Sequence, residues 1–190
     1  MSEIFSLNRY IPKQTTPICA ITSVKMTPGV IGGNLNCGGQ RNGGTLTSPN
    51  SKAVQKCISD AMKNANIKGR EIDAINGHLT ATIKDPLEIE NWSKSLGRKG
   101  KEFPFINSLK SMVGHCLAAA GAIENVATVL QLKHQFIFPN LNCSDVHPDI
   151  LNLIPKEKIP TKMKRAELNI IAKASFGFGD VNACIIFKKY

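Results

Sequence analysis

One stretch of the chain, residues 107–124, constrains the fold more than any other. It runs from the end of a short apolar segment, 103–107, into a segment rich in alanine and glycine. Short apolar runs are typical of buried strands, and small residues allow neighbouring backbones to approach closely. We therefore predict a strand followed by a helix over 114–133, with this helix buried in the centre of the fold.

The same stretch places polar groups around the predicted helix start, namely Lys110, His115 and Glu124. A second histidine, His78, follows an earlier apolar run at 72–77. Two histidines at two strand ends predict an oxyanion-binding pair, because imidazole N–H groups stabilise a developing negative charge when they are held in place. The alternative interpretation is two hydrogen-bonded core histidines.

The rest of the chain alternates predicted strands and helices. The predictions are a strand at 17–26, a long glycine-rich loop at 27–49, a helix at 51–66, a strand at 72–77, a helix at 86–96, mostly irregular structure at 139–168 and strands at 169–174 and 182–188. Apolar periodicity distinguishes the helices, and Pro86 suits a first helical turn. The order β-α-β-α-β-α-β-β predicts a layered α/β fold.

The chain is basic, with 24 Lys and Arg against 14 Asp and Glu and a net charge of +10. Aromatic residues make up only 6% of the chain, and they form no aromatic-basic stripe on which bases could stack. This argues against a nucleic-acid partner and leaves a solvated basic surface or an acidic protein partner. The apolar runs are too short for a membrane span, and residues 1–10 do not resemble a secretory signal. We therefore expect a cytoplasmic protein.

Six cysteines are scattered along the sequence: Cys19, Cys37, Cys57, Cys116, Cys143 and Cys184. They form no Cys-x-x-Cys pair and no Cys/His cluster with zinc spacing. We expect them to be reduced, with no disulfide and no structural metal. No cysteine has an obvious activating context, so we predict no thiol nucleophile among them.

Three short motifs follow one another along the chain: HLTAT at 78–82, KSMVGHCLAAAGAIE at 110–124 and GFGDVN at 177–182. They resemble His-Gly-Thr-x-Thr, Lys-Ser-x-x-Gly-His with a small-residue helix and a Glu, and Gly-Phe-Gly-Gly-Thr-Asn of the β-ketoacyl-acyl-carrier-protein synthases. The sequence DPLE at 85–88 is similar to that family's Asp-Pro-Ile-Glu segment. The order and spacing of these motifs identify a resemblance to the C-terminal half of the family.

The resemblance covers roughly residues 17–190 and leaves 1–16 as a lead-in segment. It implies one half of a thiolase-like fold, with a mixed five-stranded sheet layered with helices. The half that carries the family's nucleophilic cysteine is absent from this sequence. It follows that the isolated chain is expected to be inactive.

The resemblance also assigns roles in a decarboxylative condensation of an acyl thioester with a malonyl-carrier. His78 and His115 are the expected oxyanion donors, and Lys110 organises them. Thr80 and Thr82 are expected to bind the phosphopantetheine arm, or to be simple strand-end hydroxyls. Phe178 lies between two glycines and is the expected gate over the acyl pocket.

Glu124 and Asn76 match the family's monovalent cation site. No organic cofactor is implied, since the carrier protein supplies the phosphopantetheine arm. Lys173 stands where the family usually has a small polar residue. We hypothesise that the Lys173 ammonium substitutes for the cation beside Glu124, or else pairs with Asp180. Leu79 and Asp180 each replace a family glycine, which favours altered activity or unusual substrates.

Two functions remain open beside the catalytic one: a non-catalytic subunit like the chain-length factors, and a carrier-binding module. The expected partners are an acidic acyl carrier protein and a Cys-bearing half or subunit. The face that normally packs on that half is exposed in an isolated chain, so we also predict a homo-oligomer, most simply a dimer.

Overall fold

The computed structural model describes residues 28–39 and 47–190. Its strands are β1 (Gly29–Cys37), β2 (Ala74–Asn76), β3 (Phe105–Asn107), β4 (Phe136–Ile137), β5 (Lys164–Arg165), β6 (Ile170–Gly177) and β7 (Val181–Lys188). Its α-helices are α1 (Ser51–Asn64), α2 (Asp85–Leu96), α3 (Lys110–Val113), α4 (Ala120–His134) and α5 (Pro148–Leu153). The predicted lead-in at 1–16 and strand at 17–26 lie outside the described residues.

Five strands form one mixed sheet in the order β1-β7-β6-β2-β3. The strand β2 is parallel to both β3 and β6, whereas β7 is antiparallel to β6 and to β1. A separate small sheet pairs β4 with β5. The predicted α/β class with a mixed five-stranded sheet is confirmed.

The main sheet lies between two layers of helices. Ala74 and Ile75, successive residues of β2, belong to different buried clusters, because side chains alternate across a strand. The cluster of Ile75 includes Ile58 of α1 and Trp92 of α2. The cluster of Ala74 includes Leu132 of α4. Both faces of β2 are therefore buried, which explains the apolar pair Ala74 and Ile75 on its two sides.

The prediction of a continuous loop at 27–49 is wrong, because β1 occupies most of its described part. Gly32 and Gly33 allow other parts of the chain to pack closely on β1, and they do not form turns. A Cβ at Gly32 would lie 2.5 Å from the backbone nitrogen of Ala65, just after α1. A Cβ at Gly33 would lie 3.0 Å from the Cys184 carbonyl oxygen on β7. Local composition predicts a loop here, and it cannot show the packing partners Ala65 and Cys184, which are distant in sequence.

The helices at 51–66 and 86–96 are present with small changes at their ends. The side chain of Asn50 accepts hydrogen bonds from the backbone nitrogens of Lys52 and Ala53, which caps α1. Gly97, with φ of 65°, ends α2. The segment 139–168 is mostly irregular as predicted, but it contains α5 and β5.

The helix predicted over 114–133 begins later than predicted, since α4 starts at Ala120. The backbone at Gly114 has φ of 75° and ends α3 after one turn. A short 3-10 turn, Leu117–Ala119, then leads into α4. One side of α4 packs on the sheet, but Val126 on the other side is 62% exposed. The expectation of a fully buried helix is therefore wrong for that face, which no described element covers.

The described cysteines are all free: Cys37, Cys57, Cys116, Cys143 and Cys184. Within residues 28–39 and 47–190, no group of three or more metal-ligating side chains comes together. No helix in the described part of the chain is long and apolar enough to cross a membrane.

Candidate functional site

The register of the sheet brings the predicted site segments to one edge. Asn76 of β2 is paired with Asn107 of β3 on one side and with Lys173 of β6 on the other. Because these three strands are parallel, their continuations leave the sheet at the same edge. The segment with His78 follows β2, and the segment from Lys110 follows β3, so both enter one site.

The two predicted histidines meet at this edge. Their ring centroids lie 5.5 Å apart, and the ring planes are nearly perpendicular at 81°. The His78 ring also lies 6.1 Å from the ring of Phe176, near the end of β6. His78 is half-buried, whereas His115 is exposed. Phe176 was not selected from the sequence, although its position two residues before Phe178 in the last motif places it on the same strand end.

His78 is held in its neutral form. Burial is the main cause that lowers its pKa to about 4, and the nearby charge of Lys110 adds to the effect. The Nδ1 atom of His115 accepts a hydrogen bond from the backbone N–H of Leu117 at 3.1 Å. The proton of a neutral His115 ring therefore lies on Nε2, which is free to donate.

The carboxylate of Glu88 on α2 holds the His78 segment in place. Its Oε1 accepts the His78 backbone N–H at 2.8 Å, and its Oε2 accepts the Leu79 N–H at 2.9 Å. The indole nitrogen of Trp92 lies 3.4 Å from the same Oε1. Burial raises the pKa of Glu88 to about 7, although the hydrogen bond from His78 opposes the shift. The sequence showed Glu88 as part of a family motif but gave it no role.

Asp85, also in the first turn of α2, holds the next part of the same loop. Its carboxylate accepts backbone N–H groups from Thr80 at 3.1 Å, Ala81 at 3.0 Å and Thr82 at 3.4 Å. The two threonine hydroxyls lie 3.3 Å apart, and Thr82 is exposed. Both predicted arm-binding threonines therefore lie on one surface loop, and their role remains a prediction.

A buried charge triad lies beneath the histidines. Lys110 Nζ contacts Glu124 Oε1 at 2.5 Å, and Lys173 Nζ lies 2.8 Å from Oε2 of the same carboxylate. The side chains are 7%, 3% and 2% exposed for Lys110, Lys173 and Glu124. Lys173 also donates to the hydroxyl of Ser175, and burial lowers its pKa. The triad carries a net positive charge, which disfavours protonation of His78 above it.

These residues do not fit a monovalent cation at Glu124. An ammonium group contacts each carboxylate oxygen, so a cation would meet two positive charges at its only anionic ligand. Asn76 donates through Nδ2 to the Glu124 carbonyl at 3.1 Å and to Thr128 Oγ1 at 3.0 Å. Its buried Oδ1 accepts no hydrogen bond from the described residues. The Lys173–Glu124 contact is the one that the first version of the Lys173 hypothesis requires, and replacement of the cation stays a prediction.

The second version of that hypothesis, a Lys173–Asp180 pair, is wrong. The Asp180 carboxylate instead accepts hydrogen bonds from the Asn50 backbone and the Asn182 side chain. Phe178 lies in the turn Phe178–Asp180 and is 64% exposed. The phenyl ring that contacts His78 is that of Phe176, and the gate role of Phe178 stays a prediction.

Exposed apolar side chains lie on the elements next to His115 in the chain. These side chains, which we call the outer face, come from α3, the following turn and α4, and are Met112, Val113, Leu117, Ile123, Val126 and Leu130. Six exposed large apolar side chains on adjacent elements exceed the scattered pattern that is normal for a monomer surface.

Comparison with protein families matches residues 29–144 to the β-ketoacyl synthase, C-terminal domain. The 3-oxoacyl-[acyl-carrier-protein] synthase 2 of Vibrio harveyi is 37% identical over 148 residues, which are 76% of this chain and 34% of that protein. The chloroplastic synthase I of Hordeum vulgare is 31% identical over 163 residues, covering 84% of this chain and 33% of its own length. The chain therefore spans about a third of these curated relatives.

Solved structures agree with the sequence comparisons. The ishigamide ketosynthase/chain length factor superposes with a TM-score of 0.74 at 30% identity, over 85% of this chain and 38% of that one. A type II polyketide synthase acyl-carrier protein in complex with its ketosynthase, AntDE:AntF, gives a TM-score of 0.72 at 29% identity with the same coverage.

Proposed function

Because this chain belongs to the family of β-ketoacyl synthase C-terminal domains, we propose that it supplies the two-histidine part of a β-ketoacyl-acyl-carrier-protein synthase. The observation that carries the proposal is the contact of His78 with His115 above the Lys110–Glu124 ion pair. The reaction is the decarboxylative condensation of an acyl thioester with malonyl-carrier, in fatty-acid or polyketide synthesis.

The imidazole pair performs the electrostatic part of this reaction. Loss of CO₂ from the malonyl thioester leaves its electron pair as an enolate, with the negative charge on the thioester oxygen. N–H donors from neutral His78 and from His115 Nε2 stabilise that charge where it develops. The enolate carbon then attacks the acyl thioester carbonyl, and the thiolate of the Cys-bearing half leaves. Lys110 keeps a positive charge beneath the pair and lowers the pKa of His78.

A complete site requires a Cys-bearing half, in the same chain or in a separate one. We infer that the outer face packs against that half, because it lies next to His115 in the chain and exposes apolar side chains that water solvates poorly. Without such a partner, the outer face favours self-association into a homo-oligomer. A cytoplasmic location is part of the same proposal.

An acidic acyl carrier protein is the proposed macromolecular partner. The net charge of +10 favours association with an acidic surface. In AntDE:AntF, an acyl-carrier protein is in complex with its ketosynthase. The catalytic proposal is preferred over a chain-length-factor-like subunit, because both histidines and Lys110 are present and in contact distance of their partners.

A chimeric enzyme tests the proposal. In the Vibrio harveyi relative, this chain replaces the matching C-terminal third, and formation of β-ketoacyl-carrier from acyl-carrier and malonyl-carrier is followed by mass spectrometry. We expect product from the folded chimera and none after Lys110→Ala. A folded chimera with a soluble, intact Cys-bearing part but no product would contradict the proposal. The matched control is Lys52→Ala, which removes an exposed lysine of α1.

A further inference from the structure

The turn between β6 and β7 accepts hydrogen bonds from the end of β1 and from the start of α1. The donors are the Gly38 N–H to Asp180 O at 3.1 Å, the Asn50 N–H to Asp180 Oδ1 at 3.0 Å and the Cys37 thiol to Gly179 O at 3.5 Å. These groups are more than 120 residues from the turn in sequence. The turn is therefore fixed by tertiary contacts and not only by its own strands.

Asp180 is an unusual residue for its position. Its φ is 61°, a conformation that favours glycine, and it is only 3% exposed. A Cβ at Gly38 would lie 1.8 Å from Asp180 Oδ2, so the carboxylate takes the space that a side chain at 38 would need. A positive φ at Asp180 and the absence of a side chain at Gly38 thus accompany a single carboxylate.

The carboxylate is also costly to bury. Oδ1 accepts hydrogen bonds from the Asn50 backbone at 3.0 Å and from Asn182 Nδ2 at 3.2 Å. Oδ2 accepts none from the described residues. A glycine would fit this backbone without burying a charge. The Asp180 carboxylate therefore supplies contacts in the turn that a glycine at this position would lack.

We propose that Asp180 is a positioning residue, whose carboxylate fixes the Phe178 turn against the start of α1 and restricts movement of Phe178 over the acyl site. The acyl site in this proposal rests on the proposed function, and the fixing of the turn does not. Phe178 is two residues from Asp180, and its ring is 64% exposed. Because little packs on the ring, the backbone of the turn determines where the ring lies.

Cys37 provides a native probe of this turn. It is exposed, and its thiol donates to the residue that follows Phe178. The test compares iodoacetamide alkylation of each cysteine by peptide mass spectrometry in the wild-type chain, Asp180→Gly and Asp180→Asn. Asp180→Gly accepts the positive φ but removes both carboxylate oxygens, whereas Asp180→Asn keeps the Oδ1 acceptor for the Asn50 N–H.

We expect Cys37 in Asp180→Gly to react about tenfold faster, since the turn loses a hydrogen bond to a charged group. Cys37 in Asp180→Asn should react within about twofold of wild type, because a neutral hydrogen bond replaces a charged one. A ¹⁹F resonance from 4-fluorophenylalanine at position 178 should narrow in Asp180→Gly only. Equal Cys37 rates in all three proteins, or an Asn variant that behaves like the Gly variant, would overturn the proposal.

A second pair of variants addresses the same contact from the donor side. Asn50→Pro and Asn50→Ala both lose the helix cap, but only the proline loses the N–H that Asp180 accepts. Faster Cys37 alkylation in the proline variant alone supports the proposal, and equal rates contradict it. Buried Cys57 and Cys184 must stay unreacted in any variant that is scored. The assay needs no enzymatic activity, so its failure is separate from failure of the proposed function.

Discussion

At the scale of single residues, the site depends on carboxylates that the motifs alone do not explain. Glu88 and Asp85 accept the backbone N–H groups of the loop that carries His78, Thr80 and Thr82. Glu124 lies between two ammonium groups. Each carboxylate fixes a neighbour whose chemistry the proposed reaction uses.

The neutral state of His78 can be measured directly. Its lowered pKa, about 4, means that the folded protein binds the proton more weakly than a free imidazole does. The ¹H–¹³C NMR signal of the ring, assigned by its loss in His78→Gln, should therefore show no titration between pH 6 and 8. Lys110→Ala should raise the midpoint, because it removes a nearby positive charge. A wild-type midpoint above 6 would contradict the account.

Glu88 should make stability depend on pH. Its folded pKa, about 7, is above its ordinary value of 4.5, so the folded state binds the proton more tightly than the unfolded state. Its contribution is full below pH 4.5 and falls by about 3 kcal/mol as pH rises to 7. The lowered pKa of His78 changes stability with pH in the opposite direction. The test is therefore the difference in the free energy of unfolding between wild type and Glu88→Gln, measured in urea from pH 4.5 to 7.5. A difference that does not change with pH would refute this account of Glu88.

Because Lys173 contacts Glu124, the thermal stability of the domain should not depend on monovalent cations. The melting temperature of the wild type should be equal in KCl and in tetramethylammonium chloride at the same ionic strength. Lys173→Ser should lower stability by about 3 kcal/mol, because it breaks a buried ion pair, and should recover part of that loss in KCl. Lys52→Ser, at an exposed position, is the control. Potassium-dependent melting of the wild type would show that Lys173 does not replace the cation.

At the scale of elements, the sequence predicted best where periodicity is local. The helices α1 and α2 follow from apolar spacing, the Asn50 cap and Pro86, all of which act within a few residues. The strand β1 was missed because its glycines are required by contacts with Ala65 and Cys184, which are distant in sequence. The end of α3 at Gly114 and the exposed side of α4 likewise depend on the three-dimensional packing around them. Local composition does not show that packing.

Two glycine variants separate close packing from helix propensity. Gly32→Ala places a Cβ 2.5 Å from the Ala65 nitrogen and should destabilise the fold by about 1–3 kcal/mol. Gly121→Ala, in α4, has its nearest non-helical neighbour, Ser175 Oγ, at 3.9 Å and should be neutral or stabilising by about 1 kcal/mol. Chemical unfolding of both variants provides the comparison. Equal effects would mean that β1 does not need glycine for packing.

At the scale of the whole molecule, the outer face is the feature that a third of a synthase would be expected to leave exposed. The site residues that the motifs predicted lie close together, as the resemblance implied. They are His78, His115, Lys110 and Glu124. The carboxylate contacts of Glu88 and Asp180 could not be predicted, since they depend on the exact approach of separate elements.

The outer face should control association. Sedimentation velocity of the isolated chain should show a concentration-dependent oligomer, since exposed apolar surface is buried on association. Val126→Lys, at the centre of the outer face, should shift the chain toward monomer. Leu151→Lys, at an exposed position on α5, should not. A wild-type monomer at every concentration would contradict this expectation.

Malonyl-carrier decarboxylation isolates the step that we assign to the histidine pair, so its rate reports directly on their role. The rate is measured in the folded chimera with His78→Ala, His115→Ala and His134→Ala, the last removing an exposed histidine at the end of α4. The account predicts losses of about 10²–10³-fold for His78→Ala and His115→Ala and an unchanged rate for His134→Ala. Equal rates in all three variants would show that the pair is structural and that this domain does not stabilise the enolate.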